Sequence, residues 1–450
     1  MNRKAAARSV FALAACLVWS CGSAVAARAH QDCGNPSVFE GADVNIVVLP
    51  YISTGAAKSS LTDLGQRLAL LVKLDAFAHV LDYGSLGATQ MEVPPGADPD
   101  SCIPQVVIPK VLGEVPGASI VASKGKGLII VWGVLYEEED DIVIQSYVRF
   151  LRRDTSESIS LKISDFPFSV QPSSQVVAFP PRSLKKSLLD EIEASYQRAD
   201  VVHREPSDNS EGEPLPRPVA KCISCRGELT PGYQVEERKG EWIHVRWIDP
   251  QERSQRDGWI HASTSFAGES LDRTLPELHF IQGCVGYLMQ RIAAGRREQL
   301  SKSLAANAVG ELQQFVVANG SADKTTNALA LELAGMIQLL QGNDSLVAAR
   351  KNFDAALTLV PYDANAVTLA SLTQIGLEWN SRAISKPLVM ADRLTNAAAI
   401  SADPKDALVN LRNYLRLLLS LPDSVQLEGL SRAAIQQRLQ AANQVRLPSS

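Results

Sequence analysis

The chain has 450 residues, 46% hydrophobic and 21% charged, which excludes wholesale disorder and suggests about three domains. Lys and Arg number 44 against 49 Asp and Glu, a net charge of -5, so the composition speaks against a nucleic-acid binder. The pattern of elements along the chain reads as a multidomain α+β protein.

Residues 1–29 carry the marks of a secretory signal peptide. Arg3, Lys4 and Arg8 precede the apolar run from Val10 to Val18, and Ala24-Val25-Ala26 and Ala27-Arg28-Ala29 offer small residues for cleavage. That run is too short to cross roughly 30 Å of hydrocarbon, and no run of about 18 apolar residues follows, so no transmembrane segment is expected. The expected location is periplasmic or secreted. Leu13-Ala14-Ala15-Cys16 and Val18-Trp19-Ser20-Cys21 have a lipobox-like look. Acylation of Cys16 or Cys21 would instead give a lipid-anchored outer-membrane lipoprotein.

Residues 30–199 read as an α/β unit. Val44 to Pro50 is a short β-branched strand closed by Pro, and Leu61, Leu64, Leu68 and Leu71 recur at helical spacing. Ala76 to Asp82 reads as a second strand and Glu92 to Asp100 as a Pro/Gly loop. Leu128 to Tyr136 is a strong strand, Glu137 to Asp141 its turn, and Ile142 to Leu151 the return. Ser158 to Ile163 adds a strand, and Ser183 to Arg198 closes the unit as a helix with Ser183 as N-cap. Residues 200–219, rich in Pro, Ser, Asp and Glu, read as a mobile, extended linker.

Residues 220–268 change character. Tyr233-Gln234-Val235, the run Glu241 to Trp247 and Asp257 to His261 are short β-like runs with Trp at intervals. Trp242, His244 and Arg246 alternate with Ile243, Val245 and Trp247, the signature of a two-faced strand. Residues 276–442 are Ala/Leu/Gln-rich and helical, with Pro and Gly between periodic runs.

Three resemblances follow from these residues. The run "NIVVLPYISTG…LTDLGQRLALLVKLDAFAHVLDYGSL" with "GLIIVWGVLYEEEDDIVIQSYVRFL" resembles the amino-terminal α/β domain of TolB-like periplasmic proteins. That resemblance implies a non-catalytic domain that binds partner proteins. The run from Gly240 through Trp242 to Val245 and the closing Asp257-Gly258-Trp259-Ile260-His261 resemble a bacterial SH3-like barrel. It implies a fold that binds peptide or cell wall. Gly335, Gly342, Ala349, Phe353, Ala356, Leu357 and Pro361 stand in tetratricopeptide (TPR) order. Ala399, Ile400, Pro404 and Asp406 form a partial second copy 43 residues on. The resemblance implies a degenerate TPR-like helical solenoid.

The chain contains 7 Cys. In an oxidising compartment disulfides are the default, and Cys33 with Cys102 would tie the start of the mature chain to the Pro-rich loop. Cys222 and Cys225 form a C-x-x-C, compatible with a structural bridge, half a metal site or a redox pair. The 6 histidines make no H-E-x-x-H, Ser85 lacks the first Gly of G-x-S-x-G, and Lys124-Gly125-Lys126-Gly127 lacks the end of a P-loop. No metal and no cofactor are expected. The best binding candidates are Tyr233, Trp242, Trp247 and Trp259, whose flat rings can line a groove or fill a small barrel. The expectation is a non-catalytic exported adaptor whose helical domain takes protein partners and whose barrel takes peptide or cell wall. The competing expectations are an envelope hydrolase or thiol-redox enzyme using Cys222 and Cys225 or a site the sequence does not reveal, and an outer-membrane lipoprotein assembly factor.

Overall fold

The computed structural model describes residues 42–53, 59–90, 102–103, 107–108, 127–138, 141–152, 176–188, 201–214, 233–248, 254–261, 274–321, 323–400 and 404–445. Strand β1 (Val44–Ser53) sits at the centre of a mixed sheet and is buried on both faces. Val44, Ile46 and Val48 face the helices, while Val47 and Leu49 face the other side, as the two-residue strand period requires. A bulge between Val48 and Tyr51, in the pairing with β3 (Gly127–Glu138), inserts one residue and turns Tyr51 onto the helical side.

Helix α1 (Ser59–Val80) packs Leu68, Val72, Ala76 and Val80 on that side. This four-residue recurrence continues the buried stripe past Ala76, so the strand expected over Ala76 to Asp82 is instead the end of α1 and a 3-10 turn, Leu81–Tyr83. The chain reverses at Gly84 and Ser85, at φ 65° and 48°, and only then enters β2 (Leu86–Gln90). Strands β2 and β3 run parallel to β1 on either side, and β3 turns back as β4 (Asp141–Arg152), the hairpin the sequence predicts. Short strands β5 (Val177–Ala178) and β6 (Arg182–Lys185) pair with β4. The helix expected from Ser183 is therefore a strand at its start, because Leu184 is buried between exposed Ser183 and Lys185 with strand alternation. Helical backbone begins at 186; residues 189–200 and the expected strand Ser158 to Ile163 lie outside the described residues.

The sheet does not stop at β2. Strands β7 (Val201–His203), β8 (Gly212–Pro214), β9 (Tyr233–Lys239), β10 (Trp242–Ile248) and β11 (Gln255–His261) extend it to eleven strands. Its order is β5-β4-β3-β1-β2-β9-β10-β11-β7-β8, with β6 also on β4. The tryptophan-bearing strands thus join the amino-terminal sheet edge to edge, through β2 and β9, instead of standing apart. Residues 201–214, expected as extended linker, form the β7-β8 hairpin and pair with β11. Gly258 makes room for it, since a Cβ there would lie 2.3 Å from Val202 Cγ1. The far side of the sheet carries a smaller core in which Cys102, Ile103, Val107 and Ile108 cover Val47, Leu49, Leu128, Ile130 and Trp132.

The rest of the described chain is mostly helical: α2 (Glu277–Gly295), α3 (Lys302–Asn319), α4 (Lys324–Leu340), α5 (Leu346–Leu359), α6 (Ala364–Glu378), α7 (Pro387–Ile400), α8 (Pro404–Ser420) and α9 (Arg432–Gln444). Each helix packs on the next, and α2, α4, α6 and α8 also pack on one another, giving four stacked hairpins. Helices α4, α6 and α8 begin at residues 324, 364 and 404, a spacing of 40. Asp323 and Asp363 cap α4 and α6 by accepting backbone N–H bonds, and Asp403 stands at the same offset in the sequence. The 43-residue alignment of Pro404 with Pro361 is therefore not the structural one. Pro361 lies in the connection before α6, whereas Pro404 is the first residue of α8, and proline is tolerated in both places.

Helix α2 joins the two halves. It is buried from Glu277 through Ile292 except at half-buried His279, with the sheet and α1 on one side and α3 and α4 on the other. Phe150 and Phe179 from the sheet meet Phe280 of α2 and Phe315 of α3 in edge-to-face contacts 5.3–6.3 Å between centroids. Gly283 and Gly286 let α3 approach, since a Cβ on either would lie 2.3 Å from Leu312 Cγ and 2.2 Å from Ala308 Cβ respectively. One hydrophobic core consequently runs without a break from β1 to α9.

Candidate functional site

Strand β10 alternates as its sequence predicts, and this divides the nominated tryptophans. Ile243, Val245 and Trp247 are wholly buried, and Trp247 Nε1 has no hydrogen-bond partner among the described residues. Trp242, His244 and Arg246 occupy the opposite, half-buried face. Trp259 stands opposite His244 in register and shares this outer face. Its ring lies 4.7 Å from that of His244, and the Lys239 ammonium sits 4.6 Å from its centroid. Trp242 stands between His203 and His261, edge-to-face at 5.0 Å from each. His244 is held by Glu236 and Asp257, both at 3.0 Å, and Arg246 pairs with Glu236. Tyr233 begins β9 in register with Trp247. Trp242 thus stands half-buried on an outer face with three histidines; Trp259 shares that face in register but is buried, 7% exposed, and Trp247 belongs to the core. Sequence reasoning missed His203, because it sits in a stretch whose composition reads as linker.

Of the cysteines, Cys102 is wholly buried and disulfide-bonded. Cys284 is a free thiol inside α2, and burial pushes its pKa up, away from reactivity. Cys33, Cys222 and Cys225 lie outside the described residues.

A buried polar chain ties the sheet to the helices. Ser146 of β4 donates to Glu277 Oε1 at 2.6 Å, and Tyr51 Oη lies 3.1 Å from Ser146 Oγ. Arg182 of β6 sits 3.6 Å from Glu277 Oε2 and donates to Asn319 Oδ1 at 2.9 Å, and Asn319 donates to Asn327. Burial raises the Glu277 pKa, against the opposing pull of Ser146, its own backbone and Arg182. Burial and then Glu277 raise that of Tyr51. Gly133 leaves the space the Tyr51 ring fills, since a Cβ there would lie 2.3 Å from Tyr51 Cε1. A second buried acid, Glu332 of α4, is raised by burial and by its hydrogen bond to the Asp363 cap. These shifted groups are packed inside the joints between elements.

A cavity opens where the Leu81–Tyr83 turn meets α2 and α3. Its volume is about 210 Å³, and Asp82, Tyr83, Gln282, Asn307, Gly310, Glu311 and Gln314 give it a mainly polar lining. Tyr83 donates to the Leu304 carbonyl at 3.2 Å, which fixes the turn against α3. Glu311 Oε2 lies 2.6 Å from His279 Nδ1, and Asp82 pairs with Arg238 of β9. The cavity is bounded by residues that the sequence places more than 200 positions apart, and no local motif announces it.

No family model, curated protein or solved structure matches the chain.

Proposed function

We propose that the protein is a non-catalytic scaffold of the cell envelope, exported across the inner membrane, which binds partner proteins on its helical stack and peptide or cell wall on its tryptophan face. The stack of four helical hairpins carries this reading. A degenerate TPR-like stack is supported by the 40-residue spacing, the Asp323 and Asp363 caps, and the close seat of Gly335 against Phe353. Such stacks present extended side surfaces to partners. Helices α4 and α6 are buried on almost every side, which leaves the second helices to face outward. Val317 of α3, Val347 of α5 and Ile400 of α7 are 82%, 70% and 65% exposed.

The outer face built around half-buried Trp242, His203 and His261 supports the second contact, because flat rings bind peptide and sugar surfaces at low entropy cost. The non-catalytic reading is supported by the position of Tyr51, Glu277, Glu332 and Tyr414, whose pKa values are shifted by burial in packing joints. Export is supported by the disulfide at Cys102, a bond typical of oxidising compartments.

The test is a photo-crosslinking residue at Val317, Val347 or Ile400 in the protein produced in its own cells. Discrete adducts that differ between positions are expected. Uniform absence of adducts at all three, with the protein folded and exported, would overturn partner binding on the stack.

A further inference from the structure

Gln282 is the side chain in the cavity that needs a ligand. The residue is 2% exposed, and neither its Oε1 nor its Nε2 has a hydrogen-bond partner among the described residues. Buried amides are normally satisfied on both atoms, so Gln282, a lining residue of the cavity, is left with a donor and an acceptor unmet. The backbone around it is cut away. Gly310 of α3 has nothing within 4 Å of where a Cβ would sit, and Gly286 brings α2, α3 and the Tyr83 hydroxyl together. Asp82 and Glu311 add carboxylate acceptors steadied by Arg238 and His279, and Asn307 and Gln314 add two amides at the mouth.

This set selects a chemistry. A simple cation takes acceptor oxygens alone and would leave Gln282 Nε2 unpaired. An anion offers acceptors alone and would meet Asp82 and Glu311. A hydroxyl group donates and accepts at once, and several on a rigid ring would satisfy the amide and both carboxylates. The cavity, about 210 Å³ and open at its mouth, has room for one small ring. We propose that this cavity binds a single polyhydroxylated six-membered ring, a monosaccharide unit, either free or as the end of a glycan.

Saturation-transfer NMR and calorimetric titration of the full-length protein test this with glucose, galactose, mannose and N-acetylglucosamine, each also as its disaccharide. Saturable binding of at least one is expected. Equal affinity for monosaccharide and disaccharide would mark a free sugar as the ligand; tighter binding of the disaccharide would mark a glycan end. Gln282→Leu and Gly310→Leu should each weaken binding about tenfold or more. Both should fold, because the first removes an unpaired buried amide and the second replaces a helical glycine beside open space. Absence of saturable binding by every sugar, or binding that survives both variants, would overturn the assignment. Binding of glycinamide with no response to sugars would equally overturn it and give the site to an amide ligand.

Discussion

Lys73 lies on α1 with no exposed surface, and burial pushes its pKa from the ordinary 10.5 down to about 7. The sequence offers no warning, because lysine in a helix is normally read as a solvated side chain. Folding changes its titration in one direction. Between pH 7 and pH 10.5 the unfolded chain holds this proton and the folded chain releases it. The unfolded state therefore binds more protons, and stability rises with pH across that window. Below pH 7 both states are protonated, and the contribution of this group to stability no longer changes with pH. Lys73→Met keeps the length of the side chain without the charge. Urea unfolding at pH 6 and pH 9.5 should find the stability difference between variant and wild type moving in favour of the wild type as pH rises. A margin independent of pH would show that Lys73 does not titrate in that window.

At the scale of elements, the contact between Gly335 and Phe353 shows how a small residue sets helix geometry. A Cβ on Gly335 would lie 2.4 Å from Phe353 Cε1, so α4 and α5 can meet at their present distance only with glycine there. Alanine is otherwise the better helix former by about 0.5–1 kcal/mol. Gly335→Ala is nevertheless expected to destabilise the protein by about 1–3 kcal/mol through overpacking. Phe353→Leu in the same chain should recover part of that loss, and chemical denaturation of the four proteins of the cycle would measure the coupling. Additive losses would mean that the two residues do not press on one another. This pair was legible because Gly335 and Phe353 fall in a recognisable helical-repeat order. The 40-residue spacing of the helix starts was not, because it is marked by the Asp323 and Asp363 caps, while the prolines that catch the eye sit at unequal positions. Boundary errors share a cause. Ala76 continues the buried stripe of α1, and only Gly84 and Ser85 supply the turn that admits β2.

Across the whole molecule the sequence suggests modules on a tether, and the structure shows one continuous body. The strands of the tryptophan segment were legible as short β-like runs, β10 by its alternation. Its partner was not, since the pairing of Leu86 with Val235 joins residues that no local pattern connects. The hairpin over residues 201–214 was hidden by a polar composition that needs only Val202 to be buried. The aromatic joint of Phe150, Phe179, Phe280 and Phe315, together with the Ser146–Glu277–Arg182 chain, then fastens the sheet to the helices. Such a joint should make sheet and helices unfold together. Calorimetry of the full-length protein is expected to show one dominant transition whose midpoint falls when the joint is weakened by Phe280→Ala, a loss of about 3–5 kcal/mol. A chain ending before residue 274 leaves Phe150, Phe179, Tyr51 and Ser146 without α2. It is expected to bind hydrophobic dye and to aggregate, because that face is too apolar to meet water. A monomeric, well-dispersed NMR spectrum from the shortened chain, with two separate transitions in the intact protein, would show that the halves are independent after all.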